Sequence, residues 1–435
     1  MPQIPARQNH SSPLSAAPLS KAFSAPWIIF WAGLLVRVLY ITLGHTYRFR
    51  IFEDHFTFGY EMARVARALV TGYGYADPFN GHTGPTAWVP PLYPLLIAAV
   101  FKLFGVYTAL SAWAILTCNS VFSAATSLFV YEIAARCYNR KVALWSAWIW
   151  ALYPAAMQYA VRWVWEMSLS TMLLTAIIAL AVRMRGIGEP PNDQTQQTTR
   201  RWLLFGFLWG LIGLSNSTLL LFLPACGLWV LAGAGHKAPA LRRAIASGLI
   251  FIAVVAPWMI RNARTFRAFI PFRSNFGAEL YMGNNPESMG MPWGKTLNGE
   301  DQVRLYTKLG ELRYVRQRGD LAKAWIRSHP ARFAELSLKR FYFFWSTVPH
   351  PATNHEFLVF VRDVNYCIPN ILAILGLALS LRRRTPAAYL VLWAFILLPF
   401  TYYFVTAGAR FRHPLEPLIV ILSVFLFQSV QPRRT

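Results

Sequence analysis

Residues 89–105 read VPPLYPLLIAAVFKLFG, and whether this stretch crosses a membrane decides the architecture of the whole chain. It is apolar, yet it carries Pro90, Pro91, Pro94 and Lys102, and a crossing helix takes about 20 mostly apolar residues. Ten further apolar runs lie near 26–45, 109–134, 141–157, 163–183, 202–216, 217–235, 244–262, 364–381, 387–405 and 413–431. The basic clusters between them fall in alternate loops: Arg136, Arg140 and Lys141; Arg183, Arg185, Arg200 and Arg201; Lys237, Arg242 and Arg243; Arg382–Arg384; and Arg433–Arg434. Cytoplasmic loops collect Lys and Arg, so one orientation satisfies all five clusters. The N-terminal tail, with Arg7 and Lys21, belongs on the same side. Were 89–105 to cross as well, every later cluster would face outward. The consistent solution is a helix lying along or dipping into the outer leaflet. An eleven-span chain with an outward N-terminus is the alternative.

This reading gives an all-α polytopic membrane protein with about ten transmembrane helices, interfacial helices in the first outer loop and both termini cytoplasmic. Residues 1–25, rich in Ser, Pro and Ala, are expected to form a disordered cytoplasmic tail. Residues 26–262 form an N-terminal transmembrane module that includes the outer loop 46–108. Residues 263–363 form a second outer segment, and 364–435 the C-terminal transmembrane helices.

Composition agrees. Hydrophobic residues make up 55% of the 435 positions and charged residues 14%, against roughly 25% charged in a soluble domain. The net charge of +24 sits in short clusters between apolar runs, which points to membrane lipid and phosphate and away from nucleic acid. The spans are nearly free of charge at their centres and show no internal repeat, which argues against a transporter. Cys118, Cys137, Cys226 and Cys367 are scattered without metal-ligand spacing. The histidines form no HExxH arrangement, and no P-loop or DxD run is present. Neither a metal nor a cofactor is expected.

Of the acidic residues, only Glu132, Glu189 and Asp193 fall on the cytoplasmic side, so the chemistry is expected outside. The first outer loop opens with Phe52-Glu53-Asp54-His55 and continues as an expected helix, TFGYEMARVARALVTG, with Phe58, Met62, Val65 and Leu69 as a lipid-facing stripe. Asp54 stands near the start of that helix, where it suits either a helix cap or a catalytic carboxylate. In the second outer segment, 263–298 is expected to be irregular, followed by helices broken at Gly319 and Pro330. Arg410 and Arg412 flank the last outer loop beside His413, with Glu416 one turn beyond Arg412 at ion-pairing spacing. They fit a phosphate site or interface anchors. Arg261 and Arg162 are further phosphate candidates, and Glu166 is a partner for Arg162. Asn284 and Asn285 suit either sugar binding or a turn.

A set of motifs then adds a resemblance. The acidic residue after the first span, the interfacial helix ending Gly72-Tyr73-Gly74-Tyr75 and the stretch GPTAWVPPLYPLLIAAVFKLFG resemble the first periplasmic loop of the GT-C superfamily. Within it, the chain resembles the bacterial branch with protein O-mannosyltransferases and the lipid A aminoarabinose transferase. Ala256–Asn262, Leu280–Pro286, Ser328–Phe333 and Ala409–Leu415 extend the resemblance across residues 26–431. It implies a catalytic base at Asp54, with Glu53 second. It implies an inverting glycosyltransferase that moves a hexosyl or pentosyl group from a polyprenyl-phosphate carrier to a hydroxyl of a glycan, lipid or protein. The setting implied is the periplasmic face of a bacterial inner membrane. One departure stands out: where relatives carry Arg-Pro near the outer end of a middle span, this chain reads Leu214-Ser215-Asn216-Ser217. In chemical terms, a carboxylate deprotonates the acceptor and arginines neutralise the departing phosphate. A polymerase or ligase using lipid-diphosphate donors, or a transporter of lipid-linked substrates, are the other readings.

Overall fold

A computed structural model describes residues 25–50, 56–189, 198–234, 237–290, 299–347 and 356–430. Asp54, Glu53 and the tail 1–24 lie outside them. Among the described residues the chain is all-α, without a strand beyond one isolated bridge between Ala76 and Pro85. Helix α1 (Pro26–Leu43) is followed by α2 (Glu61–Val70), an irregular strap over 75–91 and α3 (Leu92–Phe104). Next come α4 (Ala109–Cys137), α5 (Arg140–Leu152), α6 (Pro154–Val161), α7 (Met167–Met184) and α8 (Thr199–Ser215). Helix α9 (Leu223–Ala232), entered through a 3-10 turn at Ser217–Phe222, leads to α10 (Lys237–Phe266). The second outer segment holds α11 (Phe276–Gly283), α12 (Glu300–Leu309), α13 (Glu311–Ser328) and α14 (Pro330–Trp345). Helices α15 (Glu356–Arg382), α16 (Ala388–Phe404), the short α17 (Ala409–Arg412) and α18 (Glu416–Val430) close the chain.

Six helical stretches are long and apolar enough to cross a membrane: Pro26–Leu43, Ala109–Cys137, Met167–Met184, Ala238–Phe266, Val359–Arg382 and Ala409–Ser429. Side-chain contacts sort the loops into two ends. At the basic end, Arg136 pairs with Glu132 (2.9 Å) and Glu189 (3.1 Å), and Arg185 donates to the Trp229 carbonyl (2.8 Å). Tyr138 reaches Ser380 there (3.1 Å). At the other end, Thr46 donates to the Val161 carbonyl (2.7 Å), the Trp165 indole to the Phe56 carbonyl (2.7 Å) and Asn284 to the Phe404 carbonyl (2.9 Å). Between the two, ten segments alternate in direction: α1, α4, α5 with α6, α7, α8, 217–232, α10, α15, α16 and 409–430.

Helix α3 does not join this count. At 13 residues it is about 20 Å long, short of a hydrocarbon core about 30 Å thick. Both of its ends touch the end away from the basic clusters. Tyr93 donates to Asn119 (3.0 Å), whose amide donates to the Trp163 carbonyl (3.0 Å), while Phe101 packs on Phe58 and Tyr107.

Four expectations are corrected. First, the stripe of α2 faces protein, because Phe58, Met62 and Val65 are buried against the bundle. The helix starts only at Glu61, after a turn in which Gly59 (φ 79°) presses on the Val164 carbonyl. Second, the run 141–157 is two helices. Pro154 lacks an N–H and Tyr153 is extended, so the last carbonyls of α5 lose helical partners. Arg37 of α1, fully buried, donates to the Ala151 carbonyl (2.6 Å), so the first span does carry a charge in its interior. Third, the region before 298 contains α11. Fourth, α13 runs straight through Gly319, and the break falls at Gly310 (φ 74°). Gly319 instead packs against Gly277 of α11, where a Cβ would meet Cα at 3.2 Å.

Two buried hubs fix the outer segment. The Glu311 carboxylate accepts from Ala87 N–H (2.7 Å) and the hydroxyls of Thr86 (2.5 Å), Ser274 (2.6 Å) and Tyr306 (2.7 Å), tying the strap to α13. Arg340 of α14 donates to Asn284 (3.2 Å) and to the Gly283 and Phe404 carbonyls, tying α14 and α11 to the end of α16.

Candidate active site

The first residue of α2 is Glu61, and its carboxyl is pushed up to about 7 by burial. Glu279 of α11 raises it further, while its own backbone N–H, Arg410 and Arg64 pull it down. The Glu166 carboxyl, just ahead of α7, is likewise raised by burial, with Arg410 and Arg273 opposing. Glu166 Oε1 stands 3.5 Å from the Asn216 amide. Its Oε2 is buried and, among the described residues, has no hydrogen-bond partner.

Arg410 faces these carboxylates from α17. Its guanidinium lies over Trp165 (4.7 Å), Phe411 (4.8 Å) and Phe56 (5.0 Å), and buried Nη1 finds no partner among the described residues. A buried polar group left unmatched costs roughly 1–3 kcal/mol. An orphaned donor and an orphaned acceptor close enough to interact electrostatically therefore mark where a ligand's complementary groups belong. Three aromatic faces hold the guanidinium in place without consuming its donors.

The other residues singled out in the sequence have different employment. Arg412 and His413 are buried. Glu416, itself 1% exposed, lies 3.5 Å from Arg412 and 2.7 Å from His413 Nδ1. Arg412 also lies over the Tyr366 ring (4.6 Å), so both groups belong to the interior of the bundle. Arg261 donates to the Thr86 (2.6 Å) and Tyr75 (2.7 Å) carbonyls and clamps the strap onto α10. Arg162 is exposed and donates to the Tyr40 hydroxyl rather than to Glu166. Asn284 is fully buried beneath Arg340, and Asn285 closes a turn by accepting from Glu287 N–H (2.8 Å). Among the described residues no group of three or more His, Cys, Asp or Glu side chains is arranged to hold a metal.

Glu61, Glu279 and Arg273 carried no signal in the sequence. Each looks like an ordinary polar residue of an outer loop, and only the fold brings them together. Asn216 did carry a signal, as part of the Leu214–Ser217 stretch that departs from the resembled pattern, and it touches Glu166.

Residues 88–260, less than half of the chain, match the family described as dolichyl-phosphate-mannose-protein mannosyltransferase. The fold is similar to that of ArnT from Cupriavidus metallidurans, solved bound to undecaprenyl phosphate (TM-score 0.53, 12% identity, 94% of this chain and 61% of that one). It is also similar to the oligosaccharyltransferase AglB from Archaeoglobus fulgidus, solved with an inhibitory peptide and a dolichol-phosphate (TM-score 0.54, 11% identity, 95% and 51%). The likeness to both is one of fold. No curated protein matches it in sequence. The chain spans about half the length of AglB and 61% of ArnT. At so low an identity the shared property is the bundle itself, and the surroundings of Arg410 must be read from this chain's own residues.

Proposed function

We propose that the chain is an inverting glycosyltransferase that takes a sugar from a polyprenyl-phosphate carrier and gives it to an acceptor hydroxyl at the periplasmic face of a bacterial inner membrane. The observation that carries this reading is Arg410: a guanidinium caged by three rings, with a buried donor unmatched, beside two carboxyls raised by burial. A carrier phosphate supplies the acceptor atoms that Arg410 lacks, through charge-assisted bonds. Arg273 is the second cation, in place of the arginine that relatives carry near Asn216. Asp54 is the general base. It precedes Phe56, one wall of the Arg410 cage, by two residues in the sequence. Glu53 stands second, and Glu166 is a further carboxylate for orienting the acceptor. The acceptor oxygen attacks the anomeric carbon as Asp54 takes its proton, and the carrier phosphate leaves toward Arg410. The undecaprenyl phosphate bound by ArnT and the dolichol-phosphate bound by AglB support this donor class.

The test is thermal unfolding of the full chain in detergent with undecaprenyl phosphate, against the same lipid without its phosphate. A ligand that binds only the folded state raises its stability by mass action. Phosphate-dependent stabilisation that Arg410→Gln removes and Asp54→Asn retains supports the reading. Equal stabilisation by both lipids defeats it.

A further inference from the structure

At the opposite, basic end a cleft of about 310 Å³ opens between the end of α7, the end of α9 and the start of α16, lined by Arg185, Ile187, Trp229, Arg384 and Tyr389 among others. Arg185 is fixed there. Its Nη1 donates to the Trp229 carbonyl (2.8 Å), its guanidinium lies over the Trp229 ring (4.6 Å), and its side chain crosses Gly233, where any Cβ would meet it at 2.1 Å.

Charge balance sets these arginines apart. The described carboxylates at this end are Glu132 and Glu189. Glu132 is engaged by Arg136 and Arg183, and Glu189 by Arg136 (3.1 Å) and Arg201 (3.7 Å). Among the described residues no ion pair reaches Arg185 or Arg384. Two guanidinium groups without an ion pair among the described residues thus border one cleft, with Trp229 and Tyr389 as the amphipathic rings that favour a membrane interface. Away from the cleft the helices continue apolar and exposed: Leu228 is 65% exposed on α9 and Trp393 46% on α16. A free anion would leave that surface bare, whereas acyl chains cover it.

We propose that this cleft binds an anionic diacyl phospholipid, its phosphate between Arg185 and Arg384 and its acyl chains along α9 and α16. Basic pockets between helix ends on the positively charged side of a membrane protein suit such headgroups. The inference does not rest on the transferase reading, because the cleft lies at the other end of the bundle from Arg410.

The experiment uses the full chain in an uncharged detergent. Its unfolding midpoint is followed with phosphatidylglycerol, with phosphatidylcholine and with inorganic phosphate, and retained lipid is counted by native mass spectrometry. The expected result is stabilisation and lipid retention by phosphatidylglycerol alone, with affinity at least about tenfold lower in Arg384→Gln. Arg384 is exposed, so this variant folds even if Arg185→Gln does not. Arg410→Gln should leave phosphatidylglycerol binding unchanged. Undiminished binding in Arg384→Gln, or equal stabilisation by phosphatidylcholine, would overturn the site. Stabilisation by inorganic phosphate to the same extent would overturn its assignment to a lipid.

Discussion

Arg410 and Arg412 are two residues apart, look alike in sequence and do opposite work. The helical turn between them points one guanidinium into the aromatic cage and the other into the bundle, where Glu416 and the Tyr366 ring receive it. Arg410→Gln should therefore weaken carrier binding by about tenfold or more with little effect on unfolding, since it removes one charge-assisted contact. Arg412→Met should do the reverse. It strips the guanidinium from a buried carboxylate, at a cost of about 3 kcal/mol in stability, while the folded fraction keeps its carrier affinity. A lipid titration beside an unfolding curve separates the two. Glu61 gives a pH test. Its folded carboxyl titrates near 7, above the ordinary carboxylate range, so the folded chain holds the extra proton between about 4.5 and 7. Stability contributed by that proton is complete below this window and is lost as pH rises through it. Glu279 adds to the effect, and Arg64 and Arg410 oppose it. Unfolding midpoints should fall between pH 5 and 8 in the native chain, and Glu61→Gln should flatten that fall. An unchanged slope in the variant would assign the titration elsewhere.

Elements were legible wherever burial in lipid or protein writes a long apolar run, and each of the eleven runs in the sequence is helical in the structure. Boundaries set by a tertiary contact were not legible. Gly310 and Gly319 look equivalent as breaks, yet Gly310 adopts φ 74° between two helices while Gly319 lets α11 approach α13. The break at Tyr153–Pro154 survives inside the bundle because Arg37, a turn and a half before the end of α1, satisfies the freed carbonyl of Ala151. The docking of the outer segment is a similar long-range device. Gly283 sits so close to the Val405 carbonyl that a Cβ would stand 1.7 Å from it. Gly283→Ala must push α11 off the end of α16 and should cost about 1–3 kcal/mol by overpacking. Arg340→Met leaves the Gly283 and Phe404 carbonyls and the Asn284 side chain short of donors, and should cost a similar amount. Hydrogen exchange decides between local and global loss. Faster exchange in α11 and α14, with α4 and α7 unchanged, is the expected pattern, because the contacts removed belong to the outer segment alone.

At the scale of the molecule, basic clusters gather at one end and the carboxylates Glu61, Glu166 and Glu279 at the other, an asymmetry that a membrane explains and a water-soluble bundle would not need. In the sequence, that asymmetry together with three prolines and Lys102 sets 89–105 apart from the spans. Helix α3 reaches the same result through contacts the sequence does not show, with Tyr93 near Trp163 and Phe101 near Tyr107. The orientation that follows can be tested with single cysteines in a background freed of Cys118, Cys137, Cys226 and Cys367. Tyr73→Cys, Lys102→Cys and Asp320→Cys, all at exposed positions, should react with an impermeant maleimide on intact spheroplasts. Arg382→Cys should react only after permeabilisation. The informative pair is Tyr73 and Lys102, because they flank the strap and most of α3. If Tyr73→Cys is labelled from outside and Lys102→Cys is not, α3 crosses and the carboxylate-bearing end cannot be placed by charge. If both react and Arg382→Cys does not, the end of the bundle that carries Arg410 faces outward, and any donor it uses must arrive there on a lipid, since activated nucleotide sugars remain inside the cell.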